Sequence, residues 1–129
     1  MGAVTAEELL EEAVGLDGRG REGEAIGVYR RAIAEGLKGE RLHAALVGLG
    51  SSLRTVGDAR GAVRVLDKAR REFPGDPVVM MFLALAHWDA GERALAVRQL
   101  GDLVLKESRD RRLAGYRGVL GGKFHLVRK

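Results

Sequence analysis

The residues of this chain that could do chemistry are three histidines, a serine pair, two acidic pairs and one glycine-rich hexapeptide. A metal site needs several donors brought together by their spacing. His43, His87 and His125 each lie more than four residues from any other soft ligand, and the chain has no cysteine. Metal, thiolate and disulfide chemistry therefore find no framework. On a helix, His87 and Asp89 project to different faces, so His87 reads as a core residue with its ring nitrogen bonded locally. Ser51-Ser52 has no histidine at a triad spacing and no nucleophile elbow around it. Gly18-Arg19-Gly20-Arg21-Glu22-Gly23 has the letters of a dinucleotide fingerprint. That fingerprint works after a strand, where backbone amides meet a pyrophosphate at a helix start. Here it follows EELLEEAVGL, a helical pattern. Glu7-Glu8 and Glu11-Glu12 have the spacing of an exposed helix face. No general acid, base and nucleophile assemble. The expectation is a protein that is not an enzyme and needs no cofactor or metal.

The elements that position these residues are helices in a repeat. Gly20, Gly57 and Gly91 each stand between two apolar-patterned stretches. Glycine suits such turns because it tolerates positive φ at a helix end. The segment 46–74, LVGLGSSLRTVGDARGAVRVLDKARREFP, carries the pattern best: Leu46, Leu49-Gly50, Leu53, the turn at Gly57, then Ala62, Leu66, Ala69 and Pro74. Thirty-four residues on stand Met80, Leu83-Ala84, His87, Gly91, Ala96, Leu100 and Leu103. Thirty-seven back stand Leu9, Ala13, Leu16, Gly20, Ala25, Tyr29 and Ala32. Thr5 with Glu8 reads as a capping box, and Asp76-Pro77 as an N-cap followed by proline at the first helical position.

This pattern resembles the tetratricopeptide repeat, whose period is 34 residues, and among its members the compact bacterial ones. The resemblance covers most of the chain. It implies an all-α, right-handed solenoid of three helical hairpins, with repeats at about 6–39, 43–76 and 77–110 and three extra residues after the first. Small residues at Gly50, Ala62, Ala84 and Ala96 let paired helices approach. Leu53, Leu66 and Leu100 fill the space between pairs. The sequence departs from the pattern at Glu12, where a large apolar residue is expected and a terminal helix with one exposed side tolerates charge. It departs again at His87, in place of an aromatic residue, and at Ser108, in place of the closing proline.

One domain is expected from 129 residues, and folding a chain of this size removes roughly two-thirds of its surface from water. The opening MGAVTAEELLEE is acidic where a signal peptide is basic and then apolar. No apolar run approaches a membrane span, and Ala6 does not support myristoylation of Gly2. A cytoplasmic location without membrane contact is the expectation. Net charge is +4, but it is graded. Residues 1–28 carry seven carboxylates against two arginines; residues 109–129 carry seven cations against Asp110 alone. Two readings follow: solvated faces, or head-to-tail contact between copies. Asp110 to Leu120 reads as a capping helix with Leu113, Tyr116 and Leu120 on one stripe, stopped by Gly121-Gly122. The tail 121–129 either stays loose or inserts Phe124 and Leu126 into an apolar groove.

In the resembled fold the first helix of each pair lines the concave side. The first repeat then offers Glu7, Leu10, Val14 and Asp17 to a ligand. The second offers Ala44, Val47, Ser51, Arg54 and Thr55, and the third Val78, Met81, Leu85, Trp88 and Asp89. The groove is mainly apolar, with Arg54 and Asp89 as its polar features. Trp88, the only tryptophan, either anchors an interface or packs under the capping helix. Arg54 either meets a ligand carboxylate or stays solvated. The family's carboxylate clamp for chaperone tails needs lysine and asparagine where this chain has Leu10, Val14, Val47, Ser51, Met81 and Leu85, so that ligand is disfavoured. Arg60, Arg64, Lys68, Arg70 and Arg71 raise nucleic acid as a partner. Their spread around the helix and the scarcity of aromatic residues disfavour it. The expected partner is a protein or peptide, with a homo-oligomer as the alternative.

Overall fold

A computed structural model describes residues 2–128. They form seven α-helices and no strand: α1 (Ala6–Gly18), α2 (Glu22–Ala34), α3 (Gly39–Thr55), α4 (Ala59–Glu72), α5 (Pro77–Asp89), α6 (Arg93–Glu107) and α7 (Arg117–His125). A 3-10 turn, Arg111–Tyr116, precedes α7.

The starts and stops are local chemistry. The Thr5 hydroxyl accepts from the backbone N–H of Glu8 at 3.1 Å, Asp58 accepts from Gly61 at 2.9 Å, and Asp76 accepts from Val79 at 3.0 Å with Pro77 opening the helix. Each bond satisfies one of the orphan N–H groups of a helix start. The three glycine turns are hydrogen-bonded alike. Gly20, Gly57 and Gly91 all have positive φ, and their N–H groups donate to Asp17, Arg54 and Trp88. The N–H groups of the next residues, Arg21, Asp58 and Glu92, donate five residues back to Leu16, Leu53 and His87. This is the Schellman closure, used three times.

Each helix packs on the next, from α1 through α6, and α1 also touches α3 as α3 touches α5. The core runs along this stack through Leu9, Ala13 and Leu16, then Ala25, Tyr29 and Ala32, then Leu49, Leu53, Ala62, Leu66 and Leu83. The register expected for the first repeat is thus the buried one, and Glu12 is exposed. Close approach depends on missing side chains. A Cβ at Gly50 would lie 2.5 Å from Leu66 Cγ, and one at Gly48 would lie 2.5 Å from the Tyr29 ring. α3 is longer than the other helices that stack beside it, with 17 residues against 13 in α1 and α5. Its start is held by His43, whose Nε2 lies 3.0 Å from Asp76 Oδ2 and whose ring stands edge-on to Phe73 at 5.1 Å.

The C-terminal segment corrects the sequence reading. The expected helix over 110–120 is instead a 3-10 turn, and the α-helix begins at Arg117 and runs through Gly121-Gly122 to His125. Packing overrides the weak helix propensity of glycine. Phe124 lies on Gly101, where a Cβ would come within 2.3 Å of its ring. Arg117 donates to the carbonyls of Leu105 (2.9 Å) and Ser108 (2.6 Å), and Arg98 donates to Val127 O at 2.6 Å. Phe124 therefore sits on α6, Leu126 is exposed, and neither enters the face formed by α1, α3 and α5. Leu100, expected in the core, is also exposed, because short α7 covers α6 only in part.

Candidate partner-binding face

The contacts of α1 with α3 and of α3 with α5 set these three helices side by side. Of the groove residues named from the sequence, Val14, Val78, Met81, Leu85 and Trp88 are exposed on these helices. On α5 the row Val78, Met81, Leu85 and Trp88 recurs every three or four residues, which is one helical face. All four side chains are exposed, Met81 by 53%, Leu85 by 41% and Trp88 by 46%. The opposite side of the helix buries Val79, Leu83 and Ala86. A helix apolar on both sides has more greasy surface than its own core uses.

Around this row, Val14 of α1 is exposed, and Val47 and Ser51 of α3 are half-buried. Leu10 is corrected: it is buried in the core beside Leu9. A residue adjacent to the stripe in sequence, between Leu9 and Ala13, is drawn inward by packing of α1 on α2 and α3.

The polar residues are already engaged. Arg54 Nε forms an ion pair with Asp89 Oδ2, joining α3 to α5. The pair ties α3 to α5 across the face, although Arg54 Nε, buried there, makes no hydrogen bond of good geometry. Asp17 accepts from the Tyr29 hydroxyl at 2.9 Å. Burial of Tyr29, followed by that bond to a carboxylate, pushes the phenol pKa above its ordinary value. Trp88 is not covered by the C-terminal helix. The guanidinium of Arg93 stands 5.1 Å from the centre of its ring, a cation–π contact across the Gly91 turn that sequence reading did not foresee. The signal lay in the five-residue separation across a glycine turn.

The chemistry set aside in the sequence is also placed. Ser52 is fully buried. The imidazoles of His43 and His87 face Asp76 and Gln99, the latter at 2.9 Å; the His87 bond is made across to α6 rather than locally, and the residue, expected in the core, is half-buried. The glycine-rich hexapeptide forms the turn from α1 to α2 rather than a strand-to-helix loop. Among the described residues no group of three or more histidines and carboxylates gathers, and no helix is long and apolar enough to cross a membrane. Hollows lie away from the face. One of about 430 Å³ is bordered by Arg60, Arg64, His87 and Glu92, and one of about 290 Å³ lies between α6 and the C-terminal segment.

Comparison with curated proteins gives no match. The family model for the Tetratrico peptide repeat matches residues 6–116, a span running from the first residue of α1 to the last residue of the 3-10 turn. With its helices, glycine turns and side-by-side odd-numbered helices, the chain belongs to the tetratricopeptide repeat family.

Proposed function

We propose that this chain is a non-enzymatic interaction module that takes a peptide or partner helix on the concave face made by α1, α3 and α5. Members of the family generally serve as protein–protein interaction modules. The observation that carries the reading here is the exposed row Val78, Met81, Leu85 and Trp88 on α5. Exposed apolar side chains in one contiguous row mark contact surfaces, and a large ring with a polar handle is a frequent anchor. Val14 and Val47 extend the apolar surface, and Ser51 offers a hydroxyl. The Arg54–Asp89 pair holds α3 and α5 in register, which reduces the ordering a partner must impose.

The test is selection of peptides from a random display library against the immobilised protein. Enriched peptides should carry apolar side chains at helical or extended spacing. Trp88→Ala and Met81→Glu should each raise their dissociation constants about tenfold or more, with circular dichroism unchanged. Peptides that bind both folded variants as tightly as the parent would defeat the assignment of this face.

Contact with nucleic acid is the second reading. Arg60, Arg64 and Lys68 stand one turn apart and exposed on α4, while Asp67 engages Arg70 and Arg71. The stripe lacks aromatic neighbours for base stacking. Binding there would fall steeply with salt, and docking at the Trp88 row would not.

A further inference from the structure

The two ends of the helical stack are finished differently. A repeat array needs polar outer faces at its termini, and α1 supplies one: Glu7, Glu8, Glu11 and Glu12 are all exposed, without an ion-pair partner among the described residues. Of the other acids nearby, Asp17 is engaged by Tyr29 and Glu24 by Arg21. The C-terminal end is not sealed. Neither the 3-10 turn nor α7 contains a buried residue. Between them and α6 lies a hollow of about 290 Å³ walled by Val97, Leu100, Val104, Leu113, Leu120 and Phe124.

The segment that walls this hollow is strongly basic. Arg112 is engaged by Asp110 at 2.8 Å, and Arg117 by two backbone carbonyls. Arg109, Arg111, Lys123 and Arg128 are exposed with no ion pair among the described residues. We infer that the acidic α1 end of a second copy of this chain docks on this apolar hollow and the basic segment that walls it, head to tail. Its glutamates meet the free cations, and Val4, exposed just ahead of α1, provides the apolar contact. Joining two C-terminal ends, or two N-terminal ends, would set like charges against each other. Only the heterologous arrangement matches the signs, and such a contact propagates from copy to copy unless a ring closes it. It uses a surface separate from the Trp88 row and does not rest on the function proposed above.

The experiment is sedimentation velocity of the full chain over a concentration series. Runs at about 0.1 M and about 1 M salt span screening lengths of about 10 Å and about 3 Å. Two variants are compared, Glu8→Lys/Glu12→Lys and Arg111→Glu/Lys123→Glu, with circular dichroism to confirm that each is folded. The parent should grow in mass with concentration at low salt and weaken about tenfold or more in self-affinity at high salt. Each variant alone should associate far more weakly than the parent, since one of its two ends has lost most of its net charge and the attraction with it. An equimolar mixture should regain pairing, because the unaltered basic end of the first variant meets the unaltered acidic end of the second. Three results would overturn the inference: a parent that stays monomeric throughout, one variant that self-associates like the parent, or two folded variants that ignore each other when mixed. Should a reversal prevent folding, Glu8→Gln/Glu12→Gln and Arg111→Gln/Lys123→Gln replace the pair. Self-association undiminished in either neutral variant overturns the inference equally.

Discussion

Individual residues here act through what they lack as much as through what they carry. Gly50 leaves room for Leu66 and Gly48 leaves room for Tyr29. Both clashing groups belong to the packed core, so Gly50→Ala should destabilise the fold by about 1–3 kcal/mol, measured by urea unfolding. Gly27 is the opposite case. It lies inside α2 with open space where a Cβ would go, and Gly27→Ala should stabilise by about 0.5–1 kcal/mol. Asp76 carries a pH dependence. Its partial burial would raise its pKa, but the N–H of Val79 and the ring of His43 outweigh that and hold it below the usual carboxylate value. A lowered folded-state pKa contributes stability that is present above the unfolded value of about 3.9 and lost as pH falls through the folded value. Urea midpoints should therefore drop more steeply for the parent than for Asp76→Asn as pH falls from 5 to 3, in the experiment's terms a range about one unit either side of that unfolded value. Residue identities foretold these roles unevenly. Asp76-Pro77 and Thr5 announce helix starts because caps are local. Arg54 facing Asp89 was not legible, since 35 positions of chain separate them and only the packing of α3 on α5 brings them together.

At the scale of elements, the six helices from α1 to α6 were readable because period and turn chemistry agree. The apolar spacing, the small residues at crossings and the three glycine turns all select the same hairpins. The C-terminal segment was misread for the converse reason. Gly121-Gly122 is a local stop signal, and the contacts that overrule it come from α6 and the residue that caps it: Gly101 beneath Phe124, and the carbonyls of Leu105 and Ser108 bonded by Arg117. No inspection of 110–129 alone would supply them. Phe124→Ala should accordingly release α7 while sparing the rest. Amide exchange should rise across 117–127, with protection in α1 to α5 unchanged. If protection were lost throughout the chain, α7 would be integral to the core rather than an attachment to α6.

At the scale of the whole molecule, the repeat decides which faces are spent and which are free. Stacking consumes the inner sides of all six repeat helices, and what remains are the two ends and the outer sides. The candidate face was partly legible: Val14, Met81, Leu85 and Trp88 are exposed as the family pattern implied, while Leu10 is buried. The pattern specifies an average helix orientation, and a terminal helix packed on fewer neighbours departs from it. The charge gradient was legible outright, because α1 and the C-terminal segment are also the two ends of the stack.

The position of the only indole has a practical consequence. Trp88 is 46% exposed in the native fold, so its emission should already resemble that of a solvated ring. Urea denaturation should shift the emission maximum little while helical ellipticity collapses. Coverage by another chain should move it to the blue with ellipticity unchanged. The natural fluorophore of this molecule thus reports occupancy of its surface and is nearly blind to its unfolding.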